Sequence, residues 1–106
     1  MRKIRARDGS IVTLDPAIIS HIIRKHPDAL LMLNSDEHRL PHEIERAIES
    51  PDEIFTDRHG SVMFLRKAGN LFLNVVVRDR LVRTAYLIGQ RTHSKMGRNK
   101  WLQRLL

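Results

Sequence analysis

Val62-Met63-Phe64-Leu65-Arg66, Leu71-Phe72-Leu73-Asn74-Val75-Val76-Val77-Arg78 and Val82-Arg83-Thr84-Ala85-Tyr86-Leu87-Ile88 decide the fold. Each is a short run rich in β-branched and aromatic residues, the composition that fits a pleated, half-buried surface. Two breaks, Asp57-Arg58-His59-Gly60 and Lys67-Ala68-Gly69-Asn70, supply the glycine that tight turns use. A third, Arg78-Asp79-Arg80, has none. The stretch from Ile54 to Ile88 therefore predicts an antiparallel meander studded with arginine. Such a sheet buries one face under helices and can offer the other, positively charged, to a polyanion.

Upstream, Asp8-Gly9 is a preferred pair for a type I′ turn, so Lys3 to Arg7 and Ser10 to Leu14 predict a hairpin. Asp15-Pro16 then opens a helix, with Asp as N-cap and Pro at the first helical position. That helix runs from Pro16 to His26 and carries Ile18, Ile19, Ile22 and Ile23 as one stripe. Pro27 stops it. Residues 28–33 read as a further helical piece and Asn34-Ser35-Asp36-Glu37 as a polar loop. The next helix starts near Pro41, buries Leu40, Ile44, Ala47 and Ile48, and ends at Ser50-Pro51-Asp52. Beyond residue 88 the chain turns basic, and Trp101, Leu102, Leu105 and Leu106 fit one face of a short terminal helix. The expected fold class is α+β: an N-terminal hairpin and two or three helices packed on an antiparallel β-meander, with a short C-terminal helix. Residues 1–88 form the domain, and 89–106 a basic extension.

Composition narrows the partners. With 106 residues the chain supports one core. Its 19 Lys and Arg against 12 Asp and Glu give a net charge of +7, and six histidines can add to it under mild acid. An excess of that size favours nucleic acid. Cysteine is absent, which excludes disulfides and thiolate zinc sites. Met1 to Arg7 is cationic but lacks the apolar segment of a signal peptide, and no apolar run approaches a membrane span. The expectation is a cytoplasmic protein with no membrane contact.

The candidate chemistry rests on imidazoles, hydroxyls and guanidiniums. His26 falls near the centre of the isoleucine stripe, and His21 to its side with Arg24 and Lys25 as neighbours. His26 suits either a site or a structural last-turn position favoured by the helix dipole. His21 suits either a phosphate contact or plain solvation. His38 and His42 are spaced for a metal, but Pro41 lies between them and no third ligand is evident, so no metal and no cofactor is expected. His59 and His93 read as solvated. On the last strand, simple alternation puts Val82, Thr84, Tyr86 and Ile88 on one face, and Arg83, Ala85 and Leu87 on the other. Hydroxyls of Thr84 and Tyr86 near guanidiniums suit a phosphodiester, with strand packing as the alternative. These parts allow RNA cleavage without metal: the ribose 2′-OH attacks its phosphate while histidine moves protons and cations stabilise the charge.

Ser20-His21-Ile22-Ile23-Arg24-Lys25-His26-Pro27, Ile48-Glu49-Ser50-Pro51-Asp52-Glu53-Ile54, Asn74-Val75-Val76-Val77 and Arg83-Thr84-Ala85-Tyr86 occur in that order. Over roughly residues 16–88 the chain resembles the phage- and toxin-type nucleases of the barnase/EndoU/colicin/RelE superfamily. The resemblance implies two helices on an antiparallel sheet, and RNA cleaved on the open side. It matches the family's helix histidine to His21, with His26 as alternate, its basic strand position to Arg66 or Arg78, and its C-terminal hydroxyl to Thr84 with Tyr86 nearby. No acidic residue stands at an obvious sheet position, a departure from the barnase-like branch. The expected activity is a toxin-like or phage-effector endoribonuclease acting on tRNA or mRNA, with a cognate antitoxin or immunity protein as a possible partner. Arg24, Lys25, Arg78, Arg83, Arg91 and Lys95 are the expected RNA contacts. The alternatives are a non-catalytic nucleic-acid-binding module and a protein-interaction module.

Overall fold

The structure, a computed structural model, describes residues 1–28 and 37–106. The helical piece and polar loop expected over 28–37 fall largely outside the described residues. The elements run β1 (Arg2–Arg5), β2 (Ile11–Leu14), α1 (Pro16–Lys25), a 3₁₀ turn (Glu37–Arg39), α2 (Leu40–Glu49), β3 (Glu53–Thr56), β4 (Ser61–Ala68), β5 (Leu71–Arg78), β6 (Leu81–Ile88), α3 (Gln90–Arg98) and β7 (Gln103–Arg104). The strands form one sheet in the order β1-β2-β6-β5-β4-β3-β7. Every pairing is antiparallel except β2 with β6, which meet in parallel at Thr13 and Leu81. The α+β class, the N-terminal hairpin and the meander follow the sequence expectation.

Alternation builds two layers on this sheet. One face carries Ile4, Val12, Leu14, Phe64, Leu73, Val75, Val77, Val82 and Ala85 against Ile22 of α1 and Leu40, Ile44, Ala47 and Ile48 of α2. Asp15 caps α1 by accepting from the Ala17 N–H at 2.9 Å, and the isoleucine stripe faces the core. On the other face Phe55, Leu65, Phe72 and Ile88 are covered by Met96 of α3 and by Leu102, with Met63 and Tyr86 beside them. Residues 89–106 thus close the second layer.

Three expectations are corrected. The terminal helix occupies Gln90–Arg98, not the Trp101-to-Leu106 stretch, which leaves α3 and adds β7 to the free edge of β3. The Asp8-Gly9 link is not a two-residue type I′ turn. Only Gly9 there has positive φ, and the Asp8 carboxylate accepts from both Ser10 N–H and Ser10 O–H, at 2.9 and 2.6 Å, shaping a longer loop. The glycine-free link between β5 and β6 is instead the one with two consecutive positive φ values, 54° at Asp79 and 61° at Arg80. Finally, a bulge breaks the alternation of β6. Val76 faces Thr84 while Val77 faces Val82, so Arg83 is the extra residue and Val82 moves to the helix-covered face with Ala85 and Leu87.

Candidate functional site

The face away from α1 and α2 is ordered in rows set by the strand register. Phe55, Met63, Val76 and Thr84 make one row; Glu53, Leu65, Asn74 and Tyr86 make the next. Because the bulge lies in β6, the alternation of β5 continues past Val76 and brings Arg78 onto the same face. Arg78 is then a diagonal neighbour of Thr84, about 7–8 Å apart between backbones. Its guanidinium has no ion pair among the described residues.

Two polar atoms here lack partners. Asn74 is 1% exposed, and neither its Oδ1 nor the buried Thr84 Oγ1 has a hydrogen-bond partner among the described residues. A buried unsatisfied group costs about 1–3 kcal/mol, so a fold keeps one against its own stability. Both sit beside Tyr86.

The histidine arrives from α1. Since β2 pairs with β6 only near Leu81, the rest of the β6 edge is open to the end of that helix. Asp28 Oδ2 accepts the Leu87 N–H at 3.1 Å, and His26, the C-cap of α1, brings its ring to 5.0 Å from the Tyr86 ring, tilted by 33°. Imidazole, phenol, hydroxyl and guanidinium thus gather along β5 and β6. Arg24 and Lys25 are exposed in the last turn of α1 and His21 is half-buried one turn earlier, none of them in an ion pair among the described residues.

Other expected residues are elsewhere. Arg66 shares the helix-covered face with Val62 and Phe64 and donates from Nη1 to the Ser50 carbonyl at 2.8 Å, closing the end of α2. It lies two strands from β6, roughly 10 Å, and on the opposite side. Arg83, at the bulge, donates to the Arg78 carbonyl at 3.3 Å and meets Asp79 at 3.4 Å. Arg91 and Lys95 are exposed on α3.

Two groupings escaped the sequence reading. Glu53, 7% exposed, is held by His93 Nε2 and by Arg104 Nη2 at 3.0 Å, while His93 stacks on Phe72 at 4.2 Å. Glu53 is therefore an acidic residue on this sheet face, contrary to expectation; its alternation with Phe55 is the available signal, which a strand starting at Ile54 leaves out. Its partners sit 40 and 51 positions later in the chain, and nothing local marks such distances. The second grouping is Trp101, with the Arg58 guanidinium 4.1 Å from its ring centre and Lys100 at 5.0 Å. Arg58 is positioned by the turn between β3 and β4, where Asp57 Oδ1 accepts from Ser61 N–H and His59 N–H at 2.9 and 2.8 Å. Those backbone bonds, Ser61 first and His59 second, hold the Asp57 carboxyl below its ordinary range.

A hollow of about 670 Å³ opens on the other side of the sheet, lined by Val12, Val62, Phe64, Val77 and Leu105 together with Arg7 and Arg80. Volume alone would favour it, yet it holds no imidazole, and the unpartnered hydroxyl is on the opposite face. Chemistry decides for the β5–β6 face. Among the described residues no group of three or more His, Asp or Glu is placed to hold a metal ion.

The molecule thus belongs to the class of α+β folds whose antiparallel sheet carries two helices on one face and a short helix on the other. Comparison with protein-family profiles, with curated proteins and with solved structures finds no match for the chain.

Proposed function

We propose that the protein is a small metal-independent ribonuclease of the toxin or phage-effector kind, cleaving tRNA or mRNA across the β5–β6 face. The observation that carries the reading is the unpartnered Thr84 hydroxyl next to Tyr86, with the His26 ring against Tyr86 and Arg78 on the same face. A phosphodiester would supply what these groups lack. Thr84 Oγ1 is enclosed in the folded sheet, so it must turn outward about χ1 before it donates to a non-bridging oxygen, while the Arg78 guanidinium offsets the charge that grows there. An imidazole takes the proton of the ribose 2′-OH, whose oxygen attacks phosphorus. The bond to the 5′-oxygen breaks and that oxygen leaves protonated, giving a 2′,3′-cyclic phosphate and a 5′-hydroxyl. His26, whose ring lies against Tyr86, is the candidate for one proton transfer, and His21, on the same helix, for the other. The Glu53 carboxylate is committed to His93 and Arg104, which argues for imidazole rather than carboxylate as the base.

Charge supports an RNA partner. Of 19 Lys and Arg, ion pairs among the described residues occupy Arg2, Arg39, Arg83 and Arg104, leaving most of the positive charge uncommitted. Such a cationic surface also suits an acidic antitoxin or immunity protein, and the reading is of a cytoplasmic protein. Among the described residues no helix is long and apolar enough to cross a membrane.

The test is purified protein with total RNA in EDTA. Fragments ending in 2′,3′-cyclic phosphate are expected, with loss of cleavage in His26→Ala and Thr84→Val. Intact RNA retained in a tight, salt-sensitive complex would replace this reading with that of a non-cleaving RNA-binding module.

A further inference from the structure

We infer that Trp101 is a stacking platform for an unpaired base of single-stranded RNA, a subsite separate from the β5–β6 centre. The inference rests on the RNA reading for its ligand class but not on cleavage. Trp101 is the single tryptophan of the chain and remains 53% exposed although it lies between α3 and β7. Large aromatic rings usually bury most of their surface, yet here it is the next residue, Leu102, that packs on the cluster of Phe55, Leu65 and Phe72. Trp101 stays out.

The backbone that carries the ring is nonetheless anchored. Asn99 Oδ1 accepts the Trp101 backbone N–H at 2.8 Å, the Leu102 backbone N–H donates to the Asn99 carbonyl at 3.1 Å, and β7 anchors the following residues to β3. From the other side Arg58 lies over the ring, itself delivered by the Asp57 turn. An anchored backbone and an arginine already over the ring lower the entropy that stacking costs. A base can stack on the ring surface that Arg58 leaves open while Lys100 meets a flanking phosphate. The Asp57 turn follows β3, and β3 lies three strands from β6, roughly 14 Å away at the usual strand spacing. The stacked base therefore lies beyond the nucleotide being cut, and duplex RNA, whose bases are already stacked, gains nothing from this ring.

A lone tryptophan reports on itself. The full-length protein would be titrated with a labelled ten-nucleotide 2′-O-methyl oligoribonucleotide, which cannot be cleaved for want of a nucleophile. Anisotropy gives total binding and tryptophan emission gives the ring. We expect emission to be quenched in step with binding, Trp101→Ala to weaken binding about tenfold, and Trp101→Phe to stay near the parent. The same oligomer annealed into a duplex should leave emission unchanged. Binding with unaltered emission and unaltered Trp101→Ala affinity overturns the inference, as does no binding, or equal quenching by the duplex. Cleavage of total RNA without quenching would sink the platform alone; quenching without cleavage would sink the nuclease reading alone.

Discussion

Thr84 is the residue at which the fold and the proposed function make opposite demands. Its Oγ1 is buried with no acceptor or donor among the described residues, so the fold gains nothing from the hydroxyl and bears its desolvation. Thr84→Val keeps the branched shape and removes the orphan. It should raise unfolding free energy by about 1 kcal/mol in denaturant titration while lowering RNA cleavage at least about tenfold. A variant that is both less stable and fully active would mean that the hydroxyl finds a partner within the fold. Arg80 offers a second residue-scale test. A left-handed arginine beside a left-handed aspartate is unfavourable backbone, and Arg80→Gly converts the link into Asp-Gly, a preferred type I′ pair. The Thr13 N–H to residue 80 carbonyl bond, 2.8 Å, is backbone-to-backbone and survives the change. Stability should rise by about 0.5–1 kcal/mol. These two links also mark what the sequence hides. Asp8-Gly9 carries the stronger turn signal, but the Asp8 side chain captures Ser10 and lengthens the loop. At 79–80 no residue preference asks for the conformation; the register of two eight-residue strands imposes it.

At the scale of elements, helices and strands whose apolar spacing is local were legible. The α1 stripe, the Asp15 cap and the buried positions Leu40, Ile44, Ala47 and Ile48 all stand where periodicity put them. The terminal segment was not, because its helical pattern competes with an open strand edge at β3 that exists only after folding. The bulge at Arg83 was equally hidden: alternation assumes one residue per position, and nothing in Val82-Arg83-Thr84 announces the extra one. The Asp57 turn yields an element-scale prediction. Its folded carboxyl titrates below the unfolded value of 3.8, so its contribution is fully present above that pH and is lost as pH falls through the lower, folded value. Protonating the carboxylate weakens its bonds from the Ser61 and His59 N–H groups and loosens the turn that carries Arg58. Trp101 emission should therefore change as pH falls below 3.8, ahead of the far-ultraviolet circular dichroism. Asp57→Asn keeps an accepting oxygen but cannot titrate, and should abolish that early step. An unchanged early step in Asp57→Asn would assign it to another group.

For the whole molecule the governing fact is where uncommitted positive charge lies relative to the two sheet faces. Arg78 shares a face with Thr84 and Tyr86, Arg24 and Lys25 flank the β6 edge, and Lys100 stands beside Trp101. Arg46 lies on α2, behind the opposite face. If RNA runs from the β6 edge toward Trp101, each phosphate met by one of the first four cations releases condensed counterions. Four contacts give a slope of log K against log salt of about −3 for a single strand. Arg78→Ala should then flatten the slope by about 0.7, and Arg46→Ala, carrying the same change in net charge, should leave it unaltered. Equal flattening by both variants would mean that RNA senses only the overall charge of +7, with no defined track across the sheet. Comparing two substitutions of identical charge removes the general field from the result, so only the path of the strand over the surface can separate them.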